Sequence, residues 1–131
     1  MKTDIESRED IERLINTFYD SMKENETIGY IFNETIGTDW SHHLPVMYQF
    51  WDSVLLSNLG YMGKPVKVHI DLDKKIPLKK EHFMEWLAIW NETVDNLFSG
   101  EIADLAKTRA MLMTNLINMK VEMAKSDKFI Q

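Results

Sequence analysis

The sequence predicts an all-α protein, and three features carry that prediction. Apolar residues recur at helical spacing in four long stretches, as at Ile11, Leu14, Ile15, Phe18 and Met22. No stretch sustains apolar–polar alternation with β-branched enrichment. The few glycines and prolines fall mainly between the periodic stretches, where helix breakers belong.

The first helix is expected from about residue 8 to 25, and Ser7 with Asp10 forms a variant of the capping box that opens it. The polar run KENET leads into a short turn-prone piece, IGYIF (28–32). The next helix should start near Thr38 or Asp39, both good N-caps, and stop at Gly60. Its apolar residues form two rows: Leu44, Met47, Tyr48, Trp51 and Leu55, and beside them Met47, Phe50 and Val54. A stripe that wide buries more than one side. Pro45 is tolerable only because it lies in the opening turns. The segment 61–77, YMGKPVKVHIDLDKKIP, holds two prolines and one short helix. Phe83, Trp86, Leu87, Trp90, Val94 and Leu97 then mark a long helix after Pro77. A break at Ser99–Gly100 precedes a last helix carrying Ile102, Leu105, Leu112, Leu116, Met119 and Met123. Four main helices and one or two short ones result.

A chain of 131 residues suits one domain, taken as 1–131 with residues 1–7 and 126–131 peripheral. The net charge of −6, with both signs interspersed, argues against nucleic acid, which needs a clustered positive surface. No apolar run reaches the roughly 18–20 residues that span a bilayer. The start, MKTDIESREDIERL, lacks the basic-then-apolar order of a signal peptide, so a cytoplasmic location is expected. With no cysteine, disulfides, thiolate chemistry and iron–sulfur ligation are excluded. Four histidines remain: His42, His43, His69 and His82. Metal chemistry must use imidazole, carboxylate or an imported cofactor.

Several site types fall away. A di-iron bundle needs Glu-x-x-His on two helices, and the nearest match is a single Asp39-Trp-Ser-His42. His-Glu-x-x-His, a phosphate-binding glycine loop and a Gly-x-Ser-x-Gly elbow are all missing from the sequence. What remains is histidine facing aromatic-rich helices. His43 shares the buried face of Met47 and Phe50, whereas His42 lies about 100° around and faces solvent. His69 sits between Val68 and Ile70. From His43 to Leu59 a helix rises about 24 Å, and the nine steps from Gly60 to His69 can return about 30 Å. The two imidazoles can therefore face each other across a gap. Each residue also has a plain structural reading: a buried histidine as a hydrogen-bonded core group, tryptophans as core, the nine methionines as gap fillers.

The chain resembles the truncated haemoglobins, specifically group III. The matching stretches are IERLINTFYDSM (11–22), IGYIF (28–32), DWSHHLPVMYQFW (39–51), YMGKPVKVHIDL (61–72) and EHFMEWLAIWNETVDNLF (81–98), in the family's order. The Gly-Gly pairs typical of groups I and II are missing, which fits group III. The resemblance implies a shortened globin, a two-over-two helical sandwich around one b-type haem. In globin lettering the helices are B (about 8–25), a short C, E (about 39–59), a short F around 64–72, G (79–98) and H (101–125).

Carried over by position, the resemblance makes His69 the proximal iron ligand and His43 the distal-helix histidine, with Tyr19 and Trp86 as the distal polar pair. Phenol and indole donors stabilise a diatomic ligand that takes on negative charge, which implies slow ligand release. Phe18, Phe32, Met47, Phe50, Trp51, Val54 and Phe83 are candidate walls for the porphyrin, and Tyr61 and Lys67 candidate partners of its propionates. The basic segment DKKIPLKK departs from the pattern and puts the orientation of Trp86 in question.

Three functions follow as expectations. The first is a haem protein binding dioxygen, carbon monoxide, nitric oxide or similar small ligands. The second is a redox enzyme using the same haem, in nitric oxide dioxygenation or a peroxidase-like reaction. No flavin or nicotinamide motif lies in the chain, so electrons would come from a separate reductase. The third is a cofactor-free helical interaction protein, which the amphipathic stripes alone would allow.

Overall fold

Helix α1 (Arg8–Glu24) buries the stripe expected of it, with Ile11, Leu14, Ile15, Phe18 and Met22 all within 1 % of full burial. The computed structural model describes residues 2–36, 40–57 and 65–130. Over these the remaining helices are α2 (Gly29–Ile36), α3 (Trp40–Leu56), α4 (Pro65–Lys75), α5 (Lys80–Leu97) and α6 (Glu101–Ile130). The expected capping residues Thr38 and Asp39, the stop at Gly60 and the candidate Tyr61 lie outside the described residues. No helix among the described residues is long and apolar enough to cross a membrane.

Local chemistry sets the ends. Ser7 Oγ accepts from Asp10 N at 3.3 Å, but Asp10 Oδ2 accepts from Glu6 N rather than from the cap itself. The box is therefore half of the usual pair. At the other end Asn25 stops α1, and its Oδ1 accepts from Thr27 N and Ile28 N at 2.8 and 3.0 Å. That side chain turns the chain into α2, which is longer than IGYIF suggests.

The pair α1–α3 packs on the pair α5–α6, and α4 leans on α6. Arg8 fastens α1 to α3 by donating to Asp52 Oδ2 at 3.0 Å and Gln49 Oε1 at 3.1 Å. Between the layers Trp90, fully buried, stacks on Trp51 at 4.3 Å and on Trp86 at 5.6 Å.

In the last helix Ile102 and Leu105 pack against the core as expected, but farther along a different face turns inward. Leu112, Leu116, Met119 and Met123 are 44–54 % exposed, while Ala103, Ala106, Ala110, Thr114, Ile117 and Val121 are buried. The cause lies on α5. Trp90 fills the space between the helices and donates its indole N–H to Ala106 O at 3.1 Å, so α6 must offer small side chains there.

Of residues 2–7, expected at the periphery, Lys2, Thr3, Glu6 and Ser7 are exposed, while Asp4 and Ile5 join the packing. Ile5 is 2 % exposed, Ser99 N donates to Thr3 O, and Asp4 accepts from Ile102 N and Ala103 N at 2.9 and 2.8 Å. A carboxylate 98 residues upstream thus caps α6 where Gly100 supplies no side chain. Gly100 has φ +144°, and a Cβ there would meet Asp4 Cγ at 2.5 Å, so the break at Ser99–Gly100 requires glycine twice over.

Burial pushes the Asp4 carboxyl up, but backbone donors from Ile102, Ala103, Ile5 and Glu101 outweigh it and hold the group below its ordinary value. A depressed carboxyl stabilises the fold above its unfolded value, near pH 4, and that contribution is lost as pH falls through the folded value. Asp4→Ala is expected to cost about 1–2 kcal/mol in urea unfolding at neutral pH. The gap to the parent protein should narrow below about pH 4. A cost that does not change with pH would rule out the charged cap.

Candidate functional site

A cavity of about 520 Å³ lies inside the helices, within the range of about 300–1,000 Å³ usual for small-molecule sites. Its lining is mainly aromatic and aliphatic, and four of the residues named from sequence carry its reactive atoms: Tyr19, His43, His69 and Trp86. Of the candidate wall residues, Phe18, Phe32, Met47, Phe50, Trp51 and Phe83 also line it. Val54 is half-buried and lies off the lining. Lys67 too lies off it, largely exposed and paired with Asp71 at 2.7 Å.

His69 projects from α4, a short helix that Pro65 opens at the position where a missing N–H costs nothing. Nδ1–H donates to Pro65 O at 2.6 Å. That bond assigns the proton to Nδ1 and leaves the Nε2 lone pair outside it. Burial lowers the affinity of His69 for a second proton, only partly offset by the Pro65 carbonyl, so the ring is neutral at pH 7. Phe83, from α5, lies against it at 6.4 Å between ring centres.

A knot of polar bonds fixes the corner that joins α4 to α5. Asp73, one turn beyond His69 and buried, accepts from Leu78 N at 2.8 Å and pairs with Lys125 of α6 at 3.3 Å. Lys125 also donates to Leu78 O at 2.8 Å. The basic segment DKKIPLKK is thus pinned by one carboxylate inside it and one lysine outside it. Trp86 is held in turn by Phe18 at 5.2 Å and by its stack on Trp90. Asp73→Ala strands the lysine and the Leu78 amide, for an expected loss of about 2–3 kcal/mol. Thermal unfolding of the variant checks this; an unchanged midpoint would show that the corner stands without the knot.

Tyr19 and His43 meet on another part of the lining. His43 Nε2 and Tyr19 Oη are 3.1 Å apart, and the rings stand edge to face at 5.3 Å. Trp40 and Phe32 pack edge-on against the same phenol at 5.2 and 5.8 Å. Burial drives the Tyr19 hydroxyl far above its ordinary value, so it stays an O–H donor in any physiological buffer. His42, expected to face solvent, is exposed and yet reaches the rim of the cavity.

Several lining residues went unnamed by sequence reasoning. Ile15, Ile28, Ile31, Thr35, Val46, Val68, Leu72 and Leu78 line the cavity, as do His82, Trp90, Met113, Thr114 and Ile117. Trp90 and the α1 residue carried a core signal only. Thr114 and Ile117 could not be found from the apolar stripe of α6, because the inward face is the other one.

No family model matches the chain. A group 3 truncated hemoglobin of Campylobacter jejuni is 30% identical over 118 residues, which cover 88% of this chain and 91% of that protein. The crystal structure of a group III truncated hemoglobin from Campylobacter jejuni superposes with a TM-score of 0.83 at 29% identity, covering 92% of this chain and 95% of the other. With identity spread over nearly the full length of both proteins and the helices laid out alike, this chain belongs to the group III truncated haemoglobins.

Proposed function

We propose that the chain binds haem b in the large cavity and holds dioxygen or another diatomic ligand against Tyr19, Trp86 and His43. The observation that carries this reading is a single apolar cavity lined by two kinds of polar atom: a metal-ready imidazole and a set of hydrogen-bond donors. Family membership supports the same occupant. The donor set fits it as well. Among the described residues no three His, Cys, Asp or Glu side chains converge as a metal cage. A lone imidazole with Nε2 available suits an iron that brings four nitrogens of its own. The sequence holds no cysteine, so thioether attachment of the group is excluded. When bound, haem would supply an iron that His69 could ligate through Nε2 and that could take up a small ligand.

The protein's own residues do the rest. Pro65 O orients the His69 ring and makes its Nε2 lone pair more basic. Aromatic walls exclude water, so each hydrogen bond inside acts in a low-dielectric space. Tyr19 keeps its proton and presents it as a donor, with His43 as its neighbour before a ligand arrives. Two donors on one small ligand favour retention over release, which suits redox chemistry better than delivery. A separate reductase would be needed for turnover.

The first test is colour. Protein expressed with ample haem supply is expected to show a Soret band that shifts under carbon monoxide. A folded but colourless product would return the chain to the reading of a cofactor-free helical protein.

A further inference from the structure

If haem occupies the cavity, as proposed above, its two carboxylates need a place, and the deep residues do not offer one. A carboxylate buried among phenylalanine, isoleucine and methionine without partners carries a prohibitive desolvation cost. It must lie toward the open side. That side is marked by the lining residues with exposed surface, Thr35, His42, Val46 and Val68. None of the described lining residues is Lys or Arg, and Lys67 is engaged with Asp71. Among the described lining residues, then, the rim offers an anion neutral donors.

One rim donor has its proton placed by the fold. His82 stands in the first turn of α5, half-buried on the cavity lining, with Tyr30 of α2 beside it at 6.3 Å. Its Nδ1 accepts from Lys79 N at 3.0 Å, which puts the ring proton on Nε2. Lys79 and Lys125 add positive potential around the ring, opposed by Glu81. We propose that His82, through Nε2–H, binds a carboxylate of the haem at the cavity rim, with His42 of α3 as a second donor. The bond to Lys79 gives His82 two tasks: it caps α5 with one nitrogen and presents the other as a donor.

The inference rests on the haem reading, and the test separates the two. Protein is loaded with haem or with its dimethyl ester, in which both carboxylates are capped, and loss to an excess of an apoglobin acceptor is followed at the Soret band. The parent protein is expected to keep haem longer than the ester. His82→Leu should speed haem loss roughly tenfold, as for one hydrogen bond to a charged group, and leave ester loss unchanged. His42→Leu should act in the same direction, and His82→Gln, which keeps an N–H, should restore most of the retention. Equal acceleration of haem and ester would mean that His82 only caps α5 and would overturn the assignment, as would no acceleration of either. A parent protein that takes up neither porphyrin overturns the haem reading itself, and the carboxylate site with it.

Discussion

His69→Ala is expected to fold as a helical protein and to lose stoichiometric haem on gel filtration. Alanine is the best helix former, so α4 should persist, and the substitution gives up the ring contact with Phe83 and the bond to Pro65 O. The loss is therefore chemical. Without Nε2 the porphyrin is held only by apolar contact and by its rim bonds. Those contacts are considerable, since each buried aromatic or aliphatic side chain contributes about 1.5–3 kcal/mol, so weak residual binding is foreseen rather than none. His69→Gly offers a sharper check: imidazole in the buffer should restore the parent spectrum by entering the space the side chain vacates. If His69→Ala kept the parent spectrum and haem content, the proximal assignment would be wrong.

Tyr19→Phe and Trp86→Phe are expected to speed dioxygen dissociation by about tenfold to a hundredfold each, since a hydrogen bond to a charged acceptor contributes about 1.5–3 kcal/mol. Tyr19→Phe is the cleaner substitution. It removes one oxygen and keeps the ring that Phe18, Phe32, Trp40 and His43 pack against. Trp86→Phe also loses part of the stack on Trp90, so its rates need a parallel melting curve. Carbon monoxide, which gathers less negative charge, should leave at nearly parent rates in both variants. Stopped-flow traces for dioxygen that overlay those of the parent in both variants would remove the donors from the account. His43→Leu removes the 3.1 Å partner of the Tyr19 hydroxyl: faster dioxygen release would show His43 holding the ligand, and slower release would show it competing with the ligand for the Tyr19 proton.

Local patterning made much of this molecule legible. The stripe on α1, the break before α6 and the Pro-started α4 follow from side-chain spacing and backbone chemistry that act over a few residues. The same holds for His43, which shares the face of Met47 and Phe50, and all three line the cavity. The resemblance of five short motifs, rather than periodicity, singled out Tyr19 and Trp86, since spacing alone reads them as core.

Other features are decided only in three dimensions. Asp4 and Gly100 are 96 positions apart in the chain, and nothing near Asp4 announces that it caps α6. Asp73 and Lys125 likewise read as surface charges until the α4–α5 corner folds against α6. The clearest case is α6 itself. Its sequence offers a stripe of leucine and methionine and another of alanine, threonine, isoleucine and valine, both at helical spacing. Hydrophobicity favours the first, but the indole of Trp90 needs small neighbours and a carbonyl to bond, so the second turns inward. Amphipathic spacing fixes that a helix forms and how it repeats. Which face it buries depends on the volume left by its neighbours, and that volume exists only once the other helices are in place.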